Sequence, residues 1–524
     1  MLAAFAAAMI PVLIGTVLDY MKNYRKKEVK KDWMRGRSTT VTSVMSLTSI
    51  NSEQPRPLGR SRRGKNETCV KIMDFMMVFS IIENMKKIFS ISKKSNMRHH
   101  KSPNGNIEVL HGIRVLMMMW IIAGHSYSFA IQWLFFRNPK ELKSAPKNLM
   151  SQIFANGTFS VDSFLFISGL LVTNLCMKHM RKSNGKLNLV GFYLHRYLRM
   201  TPLMMAIIAF TANLLKYVSE GPAFEGSTVM FDDWCKKNWW LNALYLHNFV
   251  RRESMCLSHT WYSAVDMQLY FIAPLVLIPL YHRPRIGFTI MSLLLAASMA
   301  FTAFITITRH FPAVPYMNDM IAPDVVNEYY GSVYIKPYTR IGPYLIGMAL
   351  GFVLYTLEGK IRLSRTQTVS GWIFAVFANL GILFAMLPVN AGYPLPDVLA
   401  GIYSSTSRVI WALSLAWITF ACSAGKGGLL GKMLSSRLWL PWSRLTYAAY
   451  LIHPVVMAVF YGSRQTTFEF SHFLMSYIAL GNLVLTYVIS LLLCVVFESP
   501  IISLEKLLTE GRTRSGSNTH VLPG

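Results

Sequence analysis

Apolar runs separated by short basic segments dominate the chain. Runs of near-membrane length fall at 2–19, 113–134, 159–177, 201–217, 263–281, 287–308, 340–357, 371–388, 407–422, 445–461 and 473–497. A helix needs roughly 20 apolar residues to cross the hydrocarbon core of a bilayer. Pro274 and Pro454 fall inside two of the runs, which membrane helices tolerate when neighbours re-satisfy the freed backbone groups. The pattern therefore predicts an all-α, polytopic transmembrane helix bundle with one N-terminal span and ten more. The run 238–250 is apolar but too short to span. Trp239, Trp240 and Tyr245 suit it to the headgroup zone.

Composition agrees. Of 524 residues, 52% are apolar and 15% charged, yet the net charge is +28. Soluble domains carry about 25% charged residues. Basic surfaces alone would suit nucleic-acid binding, but the apolar runs exclude that class and no nucleic acid is expected as a partner. The charge instead orients the spans. Residues 20–110 hold 20 Lys/Arg against 7 Asp/Glu. The further basic loops 178–199, 282–286, 358–365 and 424–444 alternate with mixed or acidic ones. By the positive-inside bias these basic loops and the C-terminal tail face the cytoplasm. The expected divisions are an N-terminal membrane anchor over 1–20, a basic linker over 21–106, a transmembrane domain over 107–500 and a tail over 501–524. The first run lacks a basic leader and is followed by Lys22 to Lys27, which favours an anchor over a cleaved signal. Arg35–Lys65 reads as a flexible linker. Within 71–91 the helical spacing of apolar residues fits either an interfacial helix on anionic lipid or a helix packed on the cytoplasmic loops. Six cysteines form no disulfide scaffold in a chain this long. Cys235 and Cys256 share one loop and either pair or remain free thiols. Asn66-Glu67-Thr68 and Asn156-Gly157-Thr158 are sequons, neither placed well for glycosylation.

Ionisable residues inside apolar spans are costly, so each is a candidate for chemistry. Arg114 and His125 share one predicted helix, with His125 about 16 Å above Arg114. A neutral imidazole there can act as a general base; the competing reading is a packing histidine. Arg196 and Arg199 share a helix face at the expected cytoplasmic end and with Arg114 form a phosphate-binding cluster, or else anchor the span by snorkelling. Asp266 and Gln268 enter a span just after Trp261. Asp266 is expected to orient a histidine or an acceptor hydroxyl, or to make a structural bond between helices; Trp261 and Gln268 are expected to bind substrate. His453 precedes Pro454 and is either catalytic or a stabiliser of the proline kink. No metal-ligand cluster, nucleotide loop or nucleophile elbow appears, and no bound cofactor or metal is expected.

These groups, in order, resemble the acyltransferase family 3 membrane proteins, and most closely their nose-resistant-to-fluoxetine branch. The stretches that carry the resemblance are LHGIRVLMMMWIIAGHSY (110–127), FSVDSFLFISGLLVT (159–173), FYLHRYLRMTPLMM (192–205), HTWYSAVDMQLYFIAPLVL (259–277), RIGPYLIGMALGF (340–352) and LTYAAYLIHPVV (445–456). The resemblance implies a ten-helix core and transfer of an acyl group from acyl-CoA to a hydroxyl of a lipid or sugar. It implies that His125 is the essential histidine, Arg114 its paired arginine, and Arg196 and Arg199 the family's Arg-x-x-Arg. Many members carry Glu-x-Gln where this chain has Asp266-Met267-Gln268. The shorter carboxylate resembles the animal branch and leaves room for a second class of function: a non-catalytic carrier of lipid or hydrophobic drug. Either way the protein is expected to be a multi-pass component of the plasma membrane or endoplasmic reticulum, in contact with membrane lipids.

Overall fold

The computed structural model describes residues 10–24, 75–90, 107–133, 136–314, 322–358 and 360–505. The flexible-linker expectation, the Asn66 sequon and the tail beyond 505 lie outside them. Among the described residues the elements are helices, with one isolated bridge between Phe136 and Phe468. That is the outcome lipid demands, since a helix satisfies its own backbone groups. The longer elements are α1 (Ile81–Phe89), α2 (Val109–Trp133), α3 (Phe159–Lys182), α4 (Leu189–Asn213), α5 (Pro222–Ala243), α6 (Trp261–Ile272), α7 (Pro274–His282), α8 (Pro284–Thr308), α9 (Pro337–Leu357), α10 (Arg365–Phe384), α11 (Asp397–Ser423), α12 (Trp439–Gly462) and α13 (His472–Leu493). Prolines open α5, α7, α8 and α9, where their missing N–H costs nothing. Ser364 and Gln367 form a capping box at α10.

Eight helical segments are long and apolar enough to cross a membrane, or nine with the bent pair Asp397–Ser423 and Gly428–Leu434. Eleven were expected. Of the two others, 2–19 is described only from residue 10, as a helix over 10–24. The run 201–217 is mostly the second part of α4, whose first half carries His195, Arg196 and Arg199. The polar run that sequence placed at the mouth of a span is thus part of the helix itself.

The chain divides into two compact units, 91–491 and a second made of 1–90 with 492–524. In the first, α3 and α9 form the centre. A Cβ added at Gly347 would lie 2.0 Å from the Phe166 carbonyl oxygen, and one at Gly169 would lie 2.1 Å from that of Tyr344. Such close backbone approach is how small residues drive helix association in lipid. The same two helices are joined by a buried ion pair, with Arg340 Nη1 at 2.8 and 2.9 Å from the two carboxylate oxygens of Asp162. Around this centre Leu165, Val265, Leu277, Tyr344 and Met348 pack on one side, and Phe166, Leu170, Trp411 and Leu434 on the other. Enclosure differs sharply around the bundle. In its most apolar stretch α12 is 83% buried but α8 only 17%, so α8 has the character of a lipid-facing wall and α12 that of an internal post. Cys235 and Cys256 form a disulfide, which answers the question the sequence left open. Asn156 is buried and donates to the carbonyls of Gln152 and Leu383, so its sequon is not presented.

In the second unit, Ser80 caps α1 and donates to Asp19 Oδ2 at 3.0 Å. Asn84, fully buried, donates to the carbonyls of Val78 and Val495. The described part of 71–91 thus contains a short helix whose polar face bonds to Asp19 in the 10–24 helix and to Val495.

Candidate functional site

The middle of α2 faces the middle of α12. His125 Nδ1 lies 2.7 Å from His453 Nε2, and the rings stack at 4.9 Å with an interplanar angle of 9°. The direction of this bond follows from the next one. His453 Nδ1 lies 3.2 Å from the carbonyl oxygen of Ala449. A carbonyl only accepts, so His453 Nδ1 carries its proton and, in the neutral ring, Nε2 is the acceptor. His125 must then donate from Nδ1, which leaves its Nε2 lone pair uncommitted. Pro454 lacks an N–H, so the Tyr450 carbonyl four residues earlier loses its usual helix donor. Two further bonds tie α2 to its neighbours: Tyr461 Oη donates to the Ser126 carbonyl at 2.7 Å, and Asn482 Nδ2 to Ser126 Oγ at 3.0 Å.

A third imidazole completes the group. His259 Nε2 donates to the Leu451 carbonyl at 3.2 Å, and its ring stands edge-on to His453 at 5.6 Å. Tyr450 Oη donates to the His259 carbonyl at 2.7 Å. His259 opens the stretch 259–277, where nothing in the sequence alone marks it for a role. No group of three or more His, Cys, Asp or Glu positioned for a metal occurs among the described residues.

Towards the other end of α2 the arginines gather. Arg196 on α4 forms an ion pair with Asp266 on α6. Its guanidinium also reaches Ser168 Oγ at 3.1 Å and lies 4.2 Å from the centre of the Tyr270 ring. Arg114 is close enough to Arg199, Tyr262 and Asp266 to interact electrostatically with each. Asp266, the ion-pair partner of Arg196, is thus also an electrostatic neighbour of Arg114. Asp266 Oδ2 stands against Arg196, while its Oδ1 is buried without a hydrogen-bond partner among the described residues. Gln268 is committed elsewhere: its Nε2 donates to the Tyr245 carbonyl at 2.7 Å and to Asn248 Oδ1 at 2.8 Å. Trp261 packs against Tyr334 at 5.1 Å and Arg340 at 5.3 Å, beside the buried α3–α9 ion pair. Outside the spans, His247 is fully buried next to Thr260 Oγ1, 3.1 Å away. Burial holds its pKa down at about 4.

The fold and this interior define a class: a multi-pass, all-α integral membrane protein with a histidine pair between two enclosed helices. The chain belongs to the acyltransferase-3 family, whose acyltransferase domain matches residues 107–499. It is 29% identical to nose resistant to fluoxetine protein 6 of Caenorhabditis elegans over 475 residues, which is 86% of this chain and 56% of that protein. It is 23% identical to regulator of hypoxia-inducible factor 1 of the same organism over 376 residues, 68% of this chain and 72% of that protein. It is 26% identical to the O-acetyltransferase OatA of Staphylococcus aureus over 319 residues, 60% of this chain and 48% of that protein. The chain therefore spans a little over half the length of the first of these relatives. No solved structure matches it.

Proposed function

We propose that this protein is a membrane-bound acyltransferase that moves an acyl group from acyl-CoA to a hydroxyl of a lipid or sugar acceptor. The observation that carries the reading is the hydrogen-bond relay from His125 to His453 to the Ala449 carbonyl. It fixes one tautomer and leaves His125 Nε2 as a base. The likeness to an O-acetyltransferase supports the same chemistry. In the reaction, His125 Nε2 accepts the proton of the acceptor hydroxyl as its oxygen attacks the thioester carbonyl. The carbon–sulfur bond breaks, and the proton passes from the imidazolium to the departing CoA thiolate. Arg114, Arg196 and Arg199 hold the phosphates of the donor, a task suited to guanidinium groups.

General-base catalysis contributes about 10²- to 10⁴-fold. Purified protein with labelled acyl-CoA and a membrane lipid extract should release CoA thiol and labelled product. His125→Ala and His125→Gln should both lose that activity by a factor in this range while inserting normally. Full activity in His125→Gln, which cannot take the proton, would return the histidine to a packing role.

A further inference from the structure

The bundle holds a second buried charged group, which the proposed reaction does not use. Arg340, Asp162 and Arg408 are 1%, 0% and 7% exposed. Asp162 is engaged by Arg340. Arg408 on α11 gives one guanidinium nitrogen to the Thr339 carbonyl at 3.0 Å and forms no ion pair among the described residues. Its electrostatic neighbours are Arg340, Asp162, Tyr329 and Tyr334. The cluster thus carries two guanidiniums and one carboxylate, an excess of one positive charge in the interior of a membrane protein. Uncompensated charge there is strongly unfavourable.

Arg408 opens onto a small cavity whose polar lining includes Ser404, Ser407, Thr158, Tyr329 and Tyr334. Ser404, 2% exposed, has a hydroxyl with no hydrogen-bond partner. We propose that this cavity binds one small monovalent inorganic anion of chloride size, held by the Arg408 guanidinium and the Ser404 hydroxyl. Both groups can donate, and no carboxylate lines the space among the described residues. A water molecule would satisfy the serine but leave the excess charge standing. The cavity has room for about one water-sized sphere, which excludes sulfate, phosphate and organic carboxylates.

The test is thermal melting of the purified protein in detergent at constant ionic strength, with chloride or bromide titrated against gluconate, and sulfate as a second control. Chloride and bromide should raise the melting temperature along a saturable curve; gluconate and sulfate should not. Arg408→Gln should abolish the dependence, and Ser404→Ala should raise the half-saturating concentration about tenfold, the effect expected for loss of one hydrogen bond to a charged group. Should Arg408→Gln fail to fold, Ser404→Val, which fills the cavity, carries the same expectation, and a bromide anomalous peak beside Arg408 in wild-type crystals reads the site directly. Equal melting in chloride and gluconate, an equal rise in sulfate, or an undiminished chloride effect in Arg408→Gln or Ser404→Val would overturn the proposal.

Discussion

Replacing Gly347 by alanine tests the centre of the fold with the smallest available perturbation. The added methyl would sit 2.0 Å from the Phe166 carbonyl oxygen and 2.9 Å from the carbonyl carbon. Real Cβ atoms essentially never approach closer than 3.0 Å, so α3 and α9 would have to part by roughly 1 Å along that contact. The obstacle is backbone, which cannot swing aside as a side chain can. Overpacking of this kind costs about 1–3 kcal/mol. It acts against a gain of up to about 1 kcal/mol from replacing glycine in a helix. Gly381 on α10 supplies the control, because a Cβ there meets nothing within 4 Å. Gly381→Ala should therefore be neutral or slightly stabilising. Melting curves of the two variants in one detergent, read by monodispersity after heating, should place Gly347→Ala several degrees below wild type and Gly381→Ala at or above it. If the two variants melt together, the close approach of α3 and α9 is not what holds this part of the bundle.

His453 should matter less than His125, because it orients and does not accept the substrate proton. His453→Ala should slow acyl transfer about tenfold, the worth of one hydrogen bond, and combining it with His125→Ala should add nothing; a single-variant loss as large as that of His125→Ala would make His453 a proton carrier in its own right. Arg199 is exposed and forms no ion pair or side-chain hydrogen bond among the described residues, so Arg199→Gln should raise the KM for acyl-CoA about 10- to 150-fold with melting unchanged. Arg196→Gln instead strands a buried Asp266 and should cost about 3–5 kcal/mol of stability, much of it recovered in the double variant with Asp266→Asn; no recovery would mean that Asp266 has another essential partner. His247 has a folded pKa depressed to about 4 from an ordinary 6.5. The unfolded chain therefore binds the extra proton first, so stability falls as pH drops from 6.5 towards 4, by up to about 3 kcal/mol. His247→Gln should flatten the melting-temperature profile in that window, and an unchanged slope would assign the acid sensitivity to other groups.

The apolar runs announced most of the bundle because lipid imposes a length and a composition on any helix that crosses it. The same economy exposed His125 and His453, two ionisable residues in apolar surroundings. Their pairing was not legible. They are 328 positions apart, and helical spacing gives depth along a helix without naming the helix opposite. Asp266 shows the same limit: its place in a span was clear, but its partner on α4 was not. Asp162 and Arg340 are ionisable residues in apolar stretches and legible by the same reasoning, although their pairing across 178 positions was not. Gly347 and Gly351, spaced for close helix packing, were equally visible as letters. The disulfide needed coordinates, since two cysteines in one loop do not reveal whether their sulfurs meet.

The separation of the two ends of α2 has a further consequence. Arg114 and His125 stand about 16 Å apart along one rigid helix, and neither can slide towards the other. This makes the helix a ruler. With Arg114 and His125 in the roles proposed above, a donor could satisfy both ends only if its anionic head and its reactive carbonyl were joined by an arm of comparable reach, as in the long thiol-bearing chain of acyl-CoA. An acyl phosphate, whose carbonyl is bonded directly to the phosphate, would leave one end of the ruler empty wherever it bound.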